Sequence, residues 1–167
     1  MQGLIRRRAF LALALPVAAA ACASPGPTLV ETIDGGTIRF PVTPALIVPA
    51  AILPATLPDR EERTTLSLAA LRAAIGERPT AEPAPDAVLL ATARDRGLPR
   101  VVQMTVLRAT RYRNGAFAPI TTEVVIRLRV LSTATGWMEG NSIFQRRTHG
   151  TEDIAAEITA LAASLLA

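Results

Sequence analysis

The sequence predicts an α+β fold: a largely antiparallel sheet with helices packed on one face, the C-terminal helix covering the sheet. Three stretches carry that prediction. In 122–130, Val124, Ile126, Leu128 and Val130 alternate with Glu123, Val125, Arg127 and Arg129, the period of a strand with one apolar face. A second apolar run, 100–106, lies across Asn114-Gly115 from it, a pair suited to a hairpin because glycine accepts positive φ. From about Thr151 to Leu166, the residues Ile154, Ile158, Leu161 and Leu165 recur at helical spacing, with Glu152, Glu157 and Ser164 elsewhere. Such a helix has one stripe to bury against the sheet.

The earlier elements follow in order. Residues 28–42 read as two short strands around a tight turn at Asp34-Gly35. Between Pro41 and Pro58 five prolines punctuate Leu46, Ile47, Val48, Ile52 and Leu53. Proline donates nothing to a ladder and breaks helices, so this is extended, edge-like or irregular chain that still packs on the domain. Asp59 opens a helix with Glu62 at capping-box spacing. Leu66, Ala69, Ala70, Ala73 and Ala74 form its stripe and Gly76 its end. After a loop from Glu77 to Pro85, Asp86 opens a shorter helix, 87–96, closed by Gly97 and Pro99.

Register in the hairpin can be argued from burial. A two-residue Asn-Gly turn would pair Val102 with Arg127 and put a guanidinium on the apolar face. One further loop residue pairs Val106 with Val124, Met104 with Ile126 and Val102 with Leu128. A one-residue slip turns every side chain over, so burial selects the second. A three-residue or bulged loop with Gly115 at positive φ is expected. The turn Ala134-Thr135-Gly136 then leads to a third strand, Trp137 to Arg146.

Ahead of this domain, Arg6, Arg7 and Arg8 precede an apolar run from Ala9 to Ala21 that ends at Cys22, the chain's single cysteine. The run is too short to cross roughly 30 Å of hydrocarbon as a helix and has the form of an export signal. Small residues suit a peptidase groove, and a thiol can take a diacylglycerol. Ala19-Ala20-Ala21-Cys22 resembles the lipobox of bacterial lipoproteins, with Ala19 where leucine is usual. Arg7-Arg8-Ala9-Phe10-Leu11 resembles a twin-arginine motif, so export runs by that route or the general secretory one. The expected division is a signal over 1–21, cleavage between Ala21 and Cys22, a lipidated tether over 22–27, and one periplasmic domain over 28–167. Palmitate is the expected acyl chain. No aspartate follows Cys22, which points to the outer membrane.

Removing twenty-one residues from 167 leaves 146, enough for one real core. The mature form keeps 15 basic and 14 acidic side chains, every basic one arginine, and such a balance gives nucleic-acid binding no support. One cysteine excludes an internal disulfide.

Chemistry-bearing residues are sparse. His149 is the sole histidine, in a polar loop, and no serine stands in a nucleophile elbow. One histidine and one cysteine cannot build a metal site, so no cofactor is expected. Glu61-Glu62 and Glu152-Asp153 each open a helix, where acids suit the dipole. Asp34-Gly35-Gly36 precedes no helix and is no phosphate loop. What remains is surface. Arg127 and Arg129 share the sheet's polar face with Gln103, and Arg108, Arg111 and Arg113 lie toward the hairpin tip with Tyr112 and Phe117. Arginine forks suit anionic partners and aromatic residues suit interfaces, so Arg111, Tyr112, Arg113, Phe117, Arg127 and Arg129 are the candidate partner-binding residues.

Residues 59–167 are similar to the penicillin-binding-protein activator and curli-secretion lipoproteins, which share a fold with the amino-terminal domain of the Tol-system translocation protein. Val124, Ile126, Leu128, Val130, Thr135, Gly136 and Trp137 match their strand and turn pattern, with Ser132 where aspartate is frequent. The resemblance implies a non-enzymatic binding or assembly subunit of an envelope complex, held to the membrane by lipid and meeting an envelope protein. Two alternatives stand beside it. An auxiliary lipoprotein of a lipid-transport ABC system needs an apolar groove between helix and sheet. A periplasmic hydrolase needs a catalytic cluster near His149.

Overall fold

The computed structural model describes residues 26–151 and 153–167, so the signal, Ala21, Cys22 and Glu152 lie outside the described residues. The order is β1 (Thr28–Gly35), β2 (Leu46–Ala51), α1 (Arg60–Ile75), α2 (Asp86–Asp95), β3 (Arg100–Arg113), β4 (Ile120–Ser132), β5 (Met138–His149) and α3 (Ile154–Leu166). One sheet runs β1-β5-β4-β3-β2, antiparallel except for β2 beside β3. The α+β class holds, with α3 packed on the sheet. Among the described residues no helix is long and apolar enough to cross a membrane.

Alternation in β4 sends Val124, Ile126, Leu128 and Val130 into the core with Val102, Met104 and Val106 of β3. Ile158, Leu161 and Leu165 of α3 close over them, and Leu71 and Ile75 of α1 complete the layer. α2 takes the reverse face at the β2 end, where Leu89, Leu90 and Ala93 pack on Leu46, Val48, Val101 and Leu131. The proline-rich stretch is the edge expected: β2 carries Pro49, and Ile47 bonds outward to the backbone of Pro79 and Ala81.

Several expectations are corrected. Residues 28–42 make no local hairpin: β1 pairs with β5 across the chain, Thr28 with Gln145 and Gly35 with Gly140. The 36–45 segment instead folds over the sheet end and buries Ile38 and Val42. Asp59 does cap-position duty without a cap bond, because its own backbone is left-handed at φ 54°. Leu66, Ala69 and Ala73 face outward, and the buried side of α1 is Ser67, Ala70, Leu71 and Ile75. The hairpin register keeps the predicted facing but slides by two: Val102 pairs with Val130, Met104 with Leu128 and Val106 with Ile126. A bulge at Leu107 and a six-residue connection, 114–119, replace the short loop, with Gly115 at φ 113°. Facing was fixed by burial, whereas a two-residue slide leaves every face unchanged. Trp137 sits in the turn before β5, largely exposed. Glu157 is buried, beside Ile158 on the α3 face.

Candidate partner-binding face

The residues of β3, β4 and β5 that do not enter the main core form the reverse face. Cross-strand register sets Gln103, Arg129 and Asn141 in one row, Thr105, Arg127 and Ile143 in the next, then Arg108, Val125 and Gln145. Glu123 and Arg147 pair one row further on. Four arginines thus stand on three strands with one carboxylate among them. The edge strand β1 brings Glu31 beside Ile143 and Asp34 beside Asn141.

Each row has its own bonding. Arg129 donates through both terminal nitrogens to Asp86, Nη1 to Oδ1 at 2.8 Å and Nη2 to Oδ2 at 2.7 Å, and Nη1 reaches Gln103 Oε1 at 3.1 Å. Gln103 Nε2 also donates to Asp86 Oδ1 at 3.0 Å. Asp86 is the first residue of α2, where the helix dipole favours a carboxylate. The Arg129 hydrogen bond holds its carboxyl below the usual range, against a smaller opposing push from burial. Glu123, nearly buried, accepts from Gln145 Nε2 and Arg147 Nη2 and lies 3.6 Å from Arg108. Its hydrogen bond raises the Arg147 guanidinium further above its ordinary value. Arg127, in the centre, donates from Nε to Asn141 Oδ1 at 2.7 Å.

The six candidate residues therefore fall into two groups. Arg127 and Arg129 belong to the sheet face. Arg111, Tyr112, Arg113 and Phe117 belong to the β3–β4 tip, with Arg111, Arg113 and Phe117 exposed and Tyr112 half-buried. Nine residue steps of strand separate Arg129 from Ile120, about 30 Å. Asp86, Glu123 and Arg147 were missed as members of the face. Asp86 reads only as a helix opener, since its partner is 43 positions away. Glu123 was legible as outward-facing on β4, but not as the acceptor that gathers Arg147 and Gln145.

On the other face, Arg146 of β5 donates from Nε to Glu157 Oε2 of α3 at 2.7 Å, both side chains mostly buried. His149 Nδ1 lies 3.0 Å from Thr121 Oγ1, a paired imidazole at the end of β5. A cleft of about 730 Å³ at the sheet end is lined by Arg39, Arg100, Glu139 and Ile38, with Arg100 Nε 2.9 Å from Glu139 Oε2. A smaller one of about 380 Å³, where α1 and α3 begin, has Asp59, Glu62, Arg63, Arg111 and Asp153 in its walls. The second cleft also has Leu66, Ala109 and Ile154 in its walls.

No family model and no curated protein matches the chain. Among solved structures, the PelC dodecamer from Paraburkholderia phytofirmans is 18% identical, covering 84% of this chain and 94% of its own at a TM-score of 0.45. The lipoprotein GNA1162 from Neisseria meningitidis is 15% identical, covering 72% and 94% at a TM-score of 0.37.

Proposed function

We propose that this chain is a lipid-anchored envelope subunit, non-enzymatic, that holds an acidic protein surface against the reverse face of its sheet. The carrying observation is the charge set on that face: Arg108, Arg127, Arg129 and Arg147 on the three adjoining strands β3, β4 and β5, away from the layer that α1 and α3 cover. Asp86 occupies the fork of Arg129 and Glu123 accepts from Arg147, so these two are fixed in place and frame Arg127 between them. Arg127 spends one nitrogen on Asn141, and the fork geometry of its remaining donors suits a carboxylate. The export signal, cleavage before Cys22, acylation of that thiol and placement at the periplasmic side of the outer membrane are part of the same reading and rest on the sequence pattern.

A photocrosslinker in place of Thr105, beside Arg127, tests the face, with Ala163 on α3 as the control site. The expected result is one envelope protein captured from Thr105 and not from Ala163, lost in Arg127→Glu and weakened by salt, as charge-steered contacts are. Equal capture from both sites, or a complex indifferent to Arg127→Glu, refutes the reading. Intact mass of the extracted chain, with Cys22→Ala beside it, tests the anchor separately.

A further inference from the structure

We infer that the β3–β4 hairpin tip lies in the headgroup region of the membrane that anchors the chain; this rests on acylation of Cys22. The sheet's register shows which way the tether leaves. Thr28 pairs with Gln145, Gln145 with Val125 and Val125 with Arg108, so these four residues stand at one level across the sheet. β1 runs antiparallel to β5, so the chain preceding Thr28 enters from the end to which β5 rises, the same end that carries the tip. Six residue steps separate Thr28 from Cys22, a reach of at most about 20 Å. On β3, the five steps from Arg108 to Arg113 rise about 17 Å above the same level, and the 114–119 loop stands beyond. The tip thus stands at the end of the domain from which the chain leads back from Thr28, and its rise is within the span that six residue steps allow.

The tip has the composition of an interfacial element. Phe117 is fully exposed, in a loop with Gly115, Ala116 and Ala118. From Arg108 to Ile120 the charged residues are Arg108, Arg111 and Arg113, with no acid. Arg108 leans toward Glu123, and Arg111 lines the cleft with Asp59, Glu62 and Asp153. Arg113, next to the loop, is exposed. An aromatic ring beside arginine suits the boundary of an anionic bilayer, the ring among acyl carbonyls and the cation among phosphates.

The single tryptophan supplies an internal control. Trp137 is exposed in the β4–β5 turn, at the opposite end of the sheet. The acylated full chain, its lipid confirmed by intact mass, is placed in vesicles of phosphatidylethanolamine and phosphatidylglycerol with brominated acyl chains. Phe117→Trp in a Trp137→Phe background is compared with the native chain. The introduced indole is expected to be quenched, at a depth of about 5–10 Å into the interface, while Trp137 in the native chain is not. Quenching of Trp137 alone, or of neither indole in a chain that carries its lipid, overturns the inference and leaves the anchor standing. A chain without acyl mass removes the anchor itself, and that result is read before any quenching.

Discussion

Arg146 and Glu157 join β5 to α3 through a pair whose side chains keep only 11% of their surface each, at 2.7 Å. Their desolvation has been offset by one another, so removing one strands the other. Loss of one partner of a buried pair costs about 3–5 kcal/mol. Arg146→Met leaves the Glu157 carboxylate among Ile158 and Leu161 with its main counterion gone, and the expected cost is about 3 kcal/mol. The low end of the range applies because both groups retain a little solvent and Glu157 sits in the first turn of α3, where the dipole favours it. Glu157→Leu is expected to cost less, since Arg146 has a further interaction and a longer stem on which to reach water. The double variant, Arg146→Met with Glu157→Leu, replaces charge by packing and should return to within about 1 kcal/mol of the parent. Urea unfolding of the four proteins at neutral pH closes the cycle. An Arg146→Met cost under about 1 kcal/mol, the level of an exposed pair, or additivity in the double variant, would refute the claim that this contact is buried in the energetic sense.

Three further outcomes are expected. Arg129 lowers the Asp86 carboxyl from its ordinary 3.8, so the contribution is complete above that value and is lost as pH falls through the lower folded-state one. Asp86→Asn should therefore lower the stability in urea unfolding at neutral pH by under about 1 kcal/mol, because the pair is partly solvated, and the deficit should shrink as pH falls below 3.8. A Cβ on Gly140 would stand 2.5 Å from Ile38 Cγ1 and 3.0 Å from the Gly36 carbonyl oxygen. Gly140→Ala should destabilise by about 1–3 kcal/mol in thermal unfolding, as overpacking does, by lifting the 36–38 segment. Phe117→Ala touches no core, so its unfolding free energy in urea should stay within about 0.5 kcal/mol of the parent; a larger loss would mean the ring packs on the domain, against its assignment to the bilayer.

What the sequence disclosed is what local physics decides. Alternation in β4 named both of its faces, and the facing of β3 followed from refusing Arg127 a place in the core. The glycines at 76, 97, 115 and 136 all take positive φ where an element ends or turns. The partnership of β1 with β5 is decided by contacts more than a hundred positions apart, and Asp34-Gly35 satisfies the local pattern of a turn equally well. α1 was out of phase because a run of leucine and alanine has little contrast around its circumference: only packing against α3 chose Leu71 over Leu66. Glu157 broke the polar-outward rule because Arg146, on another element, makes its burial tolerable. Of the face, the arginines were visible in β4, but the acids that position them were not, since Asp86 arrives from α2.

The length of the strands explains why partner face and tip are separate surfaces at all. β3, at 14 residues, extends about 45 Å, whereas α1 and α3, at 16 and 13 residues, cover about 24 and 20 Å. Helices of that length cannot roof the sheet from end to end. At one end the 36–45 segment supplies the missing cover through Ile38 and Val42. At the other, Ala109 and Val124 are the last paired apolar residues of β3 and β4 in the core, and the buried residues beyond them include the polar Thr121, Thr122 and Thr148. From there β3 and β4 continue with β5 still beside them, Glu123 paired with Arg147 and Thr121 with His149, without a buried apolar layer. A bulge at Leu107 sits just before that departure, where an extra residue bends and twists a strand most readily. A three-stranded end that buries threonines in place of an apolar layer gains less from packing on its own domain, and its 114–119 loop has most to gain from whatever it meets beyond.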